Sequence, residues 1–203
     1  MTEFRFLADT DFELREDAGS TPVLVGYAAR FWDGTPETQF QLRAGVYERV
    51  MPGAFDNIAA NDVISSFNHN FASLLGRTSN KTLRLSVDSR GLRYEVDLPD
   101  TSAGRDVAAL VKRGDLKGSS FAFKVERDTI TKDGENRVRS LNSVRVAELG
   151  PVVNPAYTGT STGIRSEELD ALEARFAELD VPEVKTDFVA AARLRLDLIS
   201  RNI

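Results

Sequence analysis

Hydrophobic and polar positions alternate along much of the first 150 residues, and a period of two predicts β-strands. The clearest case is residues 83–98, where Leu83, Leu85 and Val87 precede a turn and a second alternating run follows. This pattern predicts an antiparallel hairpin with one buried and one solvated face. Further strands are predicted within 3–16, 22–31, 40–50 and 63–68, followed by a long strand at 118–130 and a return strand at 137–149 that ends at Gly150-Pro151.

Helical patterns are fewer. Residues 51–60 predict a short helix, because Pro52 suits a first helical turn. Val107, Leu110 and Val111 form one apolar stripe of a helix. Gly114 is typical of the residue with left-handed backbone that ends an α-helix. After a small, polar linker at 158–165, the period becomes helical, with helices predicted from Ser166 and over 186–201. We therefore predict an α+β protein with a mostly antiparallel β domain at 1–165 and a helical tail at 166–203.

Composition narrows the chemistry. The chain has no cysteine, which excludes disulfides, thiolate nucleophiles and cysteine-based zinc sites. Its single histidine, His69, excludes two-histidine metal sites and is the one imidazole available as a base. A net charge of -5 argues against nucleic acid as the main partner. No apolar run approaches the roughly 20 residues of a membrane span, and residues 1–5 lack the features of a signal peptide, so we expect neither a membrane partner nor export.

Serine–histidine chemistry is compatible with these limits. A serine nucleophile needs a base within hydrogen-bond reach, and that base would be His69. Fifteen serines compete for the role, and spacing alone does not choose among them. Ser119 and Ser120 stand out because they precede Phe121 and Phe123 in a strand. Ser119 shares the face of the phenylalanines and Ser120 points to the opposite face, although a plain strand that begins with two polar residues has the same pattern.

A third group would orient the imidazole, and Glu148 is a candidate. It lies in phase with Val144 and Val146, so we expect it on their buried face, where a carboxylate needs a partner. The alternative is a glutamate at the end of a strand that faces water. Other kinds of functional site have little support in the sequence, because the chain has no glycine-rich phosphate loop and no GxSxG motif. Its neighbouring aspartates also lack the spacing of a calcium loop.

Several short motifs lie in a fixed order between about residues 24 and 160. They are Gly26-Tyr27-Ala28, Met51-Pro52-Gly53-Ala54-Phe55, Phe67-Asn68-His69-Asn70, Leu75-Gly76-Arg77-Thr78, Gly91-Leu92-Arg93, Leu98-Pro99-Asp100-Thr101, Gly104-Arg105-Asp106, Arg113-Gly114-Asp115, Gly118-Ser119-Ser120-Phe121-Ala122-Phe123 and the segment from Glu148 to Tyr157. Each is weak alone, but the ordered set resembles the prohead (capsid-maturation) serine proteases of tailed bacteriophages. That family is similar, at a distance, to the herpesvirus assemblin proteases.

The resemblance implies residue roles and a fold. It makes His69 the catalytic histidine, Ser120 the nucleophile and Glu148 the acidic third member, with no cofactor and no metal. It also implies a mostly antiparallel β-barrel core with a few flanking helices. The chain departs from the family pattern at Asn70, where an acidic residue is usual, and at Ser119, where a bulkier residue is usual.

The implied function is a serine endopeptidase that acts inside the assembling phage prohead, in the host cytoplasm. Its expected substrates are the scaffold segment of the major capsid protein or a separate scaffold protein, and the protease itself. The tail would suit scaffold docking or homo-oligomer formation. The main alternative is a catalytically inactive β-barrel assembly protein that binds capsid or scaffold. A small-molecule-binding barrel would explain none of the ordered motifs.

Overall fold

The computed structural model describes residues 2–8, 10, 12–16, 18, 20–153 and 166–180. These residues form eleven β-strands and two α-helices, with 3₁₀ turns at Pro36–Thr38 and Ile58–Ala60. The helices are α1 (Ser102–Arg113) and α2 (Ser166–Asp180). The strands are β1 (Glu3–Leu7), β2 (Glu13–Arg15), β3 (Val23–Arg30), β4 (Gln39–Arg43), β5 (Val46–Val50), β6 (Ile64–Phe67), β7 (Asn70–Arg77), β8 (Leu83–Val87), β9 (Gly91–Asp97), β10 (Gly118–Asp133) and β11 (Asn136–Val152).

Two sheets contain these strands. The larger sheet has seven, with the main order β1-β10-β11-β5-β4, and β6 pairs with both β11 and β7. The smaller sheet has the order β2-β3-β9-β8. Pairing is antiparallel except where β5 and β6 run parallel to β11. The main apolar core draws on both sheets, with Leu24, Leu92 and Tyr94 from the smaller one and Phe121 and Phe123 from the larger one.

The predicted class is confirmed as mostly β with a few helices, but a closed barrel is not. Among the described strands, no pairing joins the two sheets, and they are not closed into a barrel. The physical reason lies at the start of the chain. Strand β1 is at one edge of the larger sheet and β2 is at one edge of the smaller sheet. The two consecutive strands therefore belong to different sheets, and no hydrogen-bond ladder pairs them.

The strongest sequence signals are confirmed. Strands β8 and β9 form the predicted hairpin, and Leu83 and Leu92 are buried in its apolar face. Helix α1 begins after Thr101, whose side chain accepts a hydrogen bond from the Gly104 N–H. It ends at Gly114, which has the predicted left-handed backbone with φ of 77°.

Two predictions of local structure are wrong. Residues 51–60 form turns and one short 3₁₀ turn instead of a helix. Gly53 has φ of +92°, which lies outside the helical region, so the turn begun at Pro52 does not continue. Strand β11 does not end at Gly150-Pro151 but runs to Val152. Pro151 lacks an N–H, yet its carbonyl still accepts a hydrogen bond from the Asn68 N–H at 3.1 Å.

Helix α2 lies over one end of the larger sheet. Leu172 and Phe176 pack against Leu42 and Val46 in a second apolar cluster. Arg175 donates two hydrogen bonds of 2.8 Å to Asp128 on β10. The predicted linker at 158–165 and the predicted helix over 186–201 lie outside the described residues. No helix in the described part of the chain is long and apolar enough to cross a membrane.

Candidate active site

The two serines of β10 point in opposite directions, as the alternation predicts. Ser119 Oγ lies 3.3 Å from the Tyr94 hydroxyl and 3.3 Å from the Gly150 carbonyl oxygen, in the core. Burial raises the pKa of Tyr94, so this phenol stays protonated beside Ser119. Ser120 is equally buried, but its side chain is on the other face of the sheet. The hydroxyl of Ser119 therefore makes its contacts in the core, whereas the hydroxyl of Ser120 lies on the opposite face of the sheet.

His69 sits in the two-residue turn that joins β6 to β7. Both turn residues have positive φ, 54° at Asn68 and 56° at His69, as tight hairpin turns of type I′ require. Asparagine and histidine adopt this conformation more readily than most residues. The turn is tied to the end of β11, because Asn68 Oδ1 accepts a hydrogen bond of 2.9 Å from the Val153 N–H. The position of the imidazole is thus fixed relative to β11.

Glu148 reaches the site because of a β-bulge. The residue is only 4% exposed, as expected for a buried carboxylate, but the predicted face is wrong. In the β10–β11 ladder, Glu148 lies opposite Ala122 and Val146 lies opposite Phe123, with a register shift between the two pairs. The extra residue, Ala147, reverses the alternation, so Glu148 and Val146 point to opposite faces. The bulge turns the carboxylate away from the apolar core and onto the face that carries Ser120.

The structure brings Ser120, His69 and Glu148 together. His69 Nε2 lies 2.6 Å from Ser120 Oγ. On the other side of the ring, His69 Nδ1 hydrogen-bonds to Glu148 Oε2. An ionised carboxylate only accepts hydrogen bonds, so this contact assigns the proton to Nδ1 and leaves Nε2 as an acceptor for the serine hydroxyl. The arrangement is that of a nucleophile, a base and an orienting acid.

Strand β1 borders this trio. It pairs with β10 so that Phe6 lies opposite Ser120. The rings of Phe4 and Phe6 meet the imidazole edge-on, with centroids 4.9 and 5.9 Å away. Ser120 Oγ also lies 3.0 Å from the Arg5 carbonyl oxygen, which is a second acceptor for its proton. The His69 side chain is 22% exposed while Ser120 is fully buried, so the imidazole is the part of the site that meets solvent.

Sequence analysis did not single out Ser66, which contacts the site from β6. Ser66 Oγ donates a hydrogen bond of 2.7 Å to Glu148 Oε1, the oxygen that His69 does not use. The backbones of β6 and β11 are close here, since a Cβ at Gly150 would lie 2.1 Å from the Ser66 carbonyl oxygen. The available signal was a pair of serines three and four residues before the sole histidine, and it is weak.

A buried ion cluster holds β1 in place from the other face of the sheet. We use this name for Glu3, Arg5, Glu48 and Arg139, which are all less than 10% exposed. Arg5 donates to Glu48 at 2.6 Å and to Glu3 at 2.8 Å. Arg139 donates to Glu3 at 2.8 Å and to Glu48 at 3.0 Å. Two positive and two negative groups balance, so the cluster is neutral and each charge is paired.

Two grooves on the surface lie away from this site. One, of about 550 Å³, lies beside α1 and is lined by residues that include Pro22, Leu98 and Lys112. The other, of about 500 Å³, is lined in part by β7 and by the start of α1. Neither contains Ser120, His69 or Glu148, so the hydrogen-bonded trio, not a cavity, locates the candidate site. Within the described residues, no group of three or more histidine, cysteine or acidic side chains could hold a metal ion.

The fold and the trio define a class, a mostly β protein with a hydrogen-bonded serine–histidine–carboxylate arrangement. A family model described as caudovirus prohead serine protease matches residues 10–175. The match covers most of the chain, and the protein belongs to this family, as its motifs predict. The match also extends past residue 165 into α2. Searches of the curated proteins and of the solved structures give no match. Family membership makes the protein a serine protease of phage capsid maturation.

Proposed function

We propose that the protein is a serine endopeptidase in which Ser120 is the nucleophile, His69 the base and Glu148 the residue that orients the imidazole. The observation that carries this proposal is the pair of hydrogen bonds made by His69, one of 2.6 Å to Ser120 Oγ and one to Glu148. Because His69 is the sole histidine, no other residue can act as an imidazole base in this chain.

Acylation begins when Ser120 Oγ attacks the carbonyl carbon of the scissile peptide. His69 Nε2 takes the hydroxyl proton as the Oγ–C bond forms, and Glu148 stabilises the resulting imidazolium through Nδ1–H. The tetrahedral intermediate then collapses, the C–N bond breaks, and Nε2–H gives its proton to the leaving amine. The products of this step are a free amine and an ester between the substrate and Ser120.

Deacylation repeats these steps with water as the nucleophile. His69 Nε2 removes a proton from a water molecule, whose oxygen attacks the ester carbon. The Ser120 Oγ–C bond breaks and Oγ recovers the proton from Nε2. The partial exposure of the His69 side chain, 22%, suits this step, because water can reach the imidazole.

The proposed substrates follow from the family. They are the scaffold segment of the major capsid protein or a separate scaffold protein, and the protease itself. On this proposal the enzyme acts inside the assembling prohead in the host cytoplasm. The net charge of -5 and the absence of a basic patch in the sequence favour a protein substrate over nucleic acid.

The test compares three variants co-expressed with the capsid protein of the same phage. Ser120→Ala and His69→Ala should each lower cleavage by about 10³-fold or more, since the members of such a unit depend on one another. Ser119→Ala is the matched control, because Ser119 is adjacent and equally buried but contacts Tyr94 in the core. It should keep most of the activity.

Each outcome discriminates. Normal cleavage by Ser120→Ala would overturn the assignment of the nucleophile. Loss in His69→Ala with activity kept in Ser120→Ala would point to another serine. If the wild-type chain folds and binds capsid or scaffold but cleaves neither, the protein is instead an inactive assembly protein, which is the alternative that the sequence left open.

A further inference from the structure

The two oxygens of the Glu148 carboxylate have different partners. Oε2 faces His69 Nδ1, and Oε1 accepts the hydrogen bond of 2.7 Å from Ser66 Oγ. Within the described part of the chain, His69 and Ser66 are the two side chains that hydrogen-bond to this carboxylate. The carboxylate and the Ser66 hydroxyl are shielded from water, because Glu148 is 4% exposed and Ser66 is fully buried.

A carboxylate in such a place depends on its donors. Transferring a charge from water into the protein interior is costly unless hydrogen bonds from the protein replace those from the solvent. His69 supplies one donor, but its ring changes charge during the reaction that we propose. Ser66 supplies a neutral donor whose state does not change. Its hydroxyl therefore solvates Glu148 throughout the cycle.

The same hydrogen bond also sets the orientation of the carboxylate. With Oε1 held by Ser66, rotation of the carboxylate about its terminal bond is restricted, and Oε2 stays aimed at Nδ1. Ser66 is well placed for this role because the close approach of its backbone to Gly150 fixes β6 against β11. A single hairpin, β6–β7, thus supplies both donors, Ser66 from its first strand and His69 from its turn.

We propose that Ser66 is a positioning residue of the protease, which acts through Glu148 and does not touch the substrate. The proposal rests on the catalytic roles proposed above for Glu148 and His69. Strand β6 then contributes to the site in two ways, since it leads into the turn that holds His69 and it supplies the Ser66 hydroxyl. It also explains why a hydroxyl occupies a fully buried strand position beside the site.

The chain offers a matched control for Ser66→Ala. Ser65 is the preceding residue and is also fully buried, yet its Oγ makes no hydrogen bond within the described structure. Ser65→Ala removes the same atom from the same strand without disturbing the carboxylate. It should leave activity unchanged and stability unchanged or slightly higher, since it deletes an unsatisfied buried group.

Ser66→Ala should lower kcat by about ten- to hundredfold with KM nearly unchanged, because it removes a hydrogen bond to a charged group that does not contact the substrate. The effect should depend on Glu148. In a Glu148→Ala background, adding Ser66→Ala should cost less than about threefold, because the two residues act as one unit. Thermal unfolding of each variant would show that the fold is retained.

A second measurement does not rely on activity. The single histidine gives one imidazole Nδ1–H proton resonance, which a hydrogen bond to a carboxylate moves downfield. This resonance should move upfield or broaden in Ser66→Ala and stay in place in Ser65→Ala. If Ser66→Ala matches Ser65→Ala in kcat and in this resonance, the positioning role is wrong. That failure is distinct from failure of the proposed function, which would appear as unimpaired cleavage by Ser120→Ala.

Discussion

At the scale of single residues, the site is governed by what each hydrogen-bonding group can donate or accept. Glu148 accepts from two donors at once, His69 Nδ1–H and Ser66 Oγ–H. Only an ionised carboxylate offers an acceptor oxygen in both directions. This requirement separates glutamate from its closest neutral counterpart at this position.

Glu148→Gln should therefore lower kcat by about 10⁴-fold, the loss expected when a triad acid becomes an amide. A glutamine has one oxygen and one NH₂ group, so it faces either Ser66 or His69 with a donor. With the NH₂ group toward His69 it favours the wrong imidazole tautomer, and with the NH₂ group toward Ser66 it loses the hydrogen bond that Ser66 donates. The measurement is kcat from steady-state cleavage, with circular dichroism to show that the fold is kept. Full activity in a folded Glu148→Gln protein would remove Glu148 from the catalytic unit.

How far the sequence predicts the site also differs from residue to residue. The faces of Ser119 and Ser120 follow from simple alternation, because β10 has no register shift before Ala122. Glu148 was expected on the face of Val146, and it lies on the other because one inserted residue in β11 reverses the alternation. Ser66 was not foreseen, because its role depends on the parallel pairing of β6 with β11, a contact between distant segments that no local pattern encodes.

At the scale of secondary-structure elements, prediction succeeds where a segment determines its own structure. The β8–β9 hairpin and α1 carry their periodicity and their turn or capping residues within a short stretch of sequence. It fails at residues 51–60, where the left-handed backbone of Gly53 overrides the helical signal of Pro52. The boundary proposed at residue 165 remains a prediction, although α2 packs on the larger sheet through Leu172 and Phe176.

The packing of α2 predicts a difference between two of its apolar residues. Phe176 is fully buried against Leu42 and Val46, whereas Leu179 is 42% exposed. Phe176→Ala should lower the free energy of unfolding by about 3–5 kcal/mol, as expected for the loss of a buried aromatic ring. Leu179→Ala should change it by less than about 0.5 kcal/mol. Urea unfolding of both variants tests this, and equal effects would mean that α2 does not pack as described.

This contrast also bears on the proposed docking role of the tail. Deleting residues 166–203 would expose Leu42 and Val46 as well as remove any docking surface, so that deletion mixes the two effects. Leu179→Glu is a cleaner change, because Leu179 is 42% exposed and lies outside the apolar cluster formed by Leu172 and Phe176. Unchanged self-association and unchanged incorporation into proheads in this variant would argue against docking through that part of α2.

At the scale of the whole molecule, one polar cluster connects elements from distant parts of the chain. The buried ion cluster joins β1 to β5 and β11, and Arg139 continues it to Asp128, which in turn binds Arg175 of α2. Strand β1 carries Arg5 into this cluster on one face and presents Phe4 and Phe6 to His69 on the other. The stability of the fold and the surroundings of the active site are therefore linked through a single short strand.

The cluster should make the stability of the protein sensitive to acid. Burial raises the pKa of Glu3, but the hydrogen bond from Arg139 and the charges of Arg5 and Arg139 outweigh this, and the net pKa lies below the ordinary value of 4.5. The unfolded chain then binds more protons than the folded one as the pH falls below that value. The stabilisation is complete at neutral pH and is lost as the pH falls through the folded-state pKa.

Glu3→Gln isolates this contribution. At pH 7 it should lower the free energy of unfolding by about 1.5–3 kcal/mol, the typical worth of hydrogen bonds to a charged group. The difference from wild type should shrink as the pH is lowered, because a protonated Glu3 carries the same charge as glutamine, and the two curves should converge. Glu13→Gln is the control, since the Glu13–Arg15 pair is exposed to solvent and should contribute little to stability at any pH. Urea midpoints measured from pH 7 to pH 3 give both curves. A constant difference between Glu3→Gln and wild type across that range would show that the ionised carboxylate of Glu3 is not the source of the stabilisation. The source would then be the packing of β1.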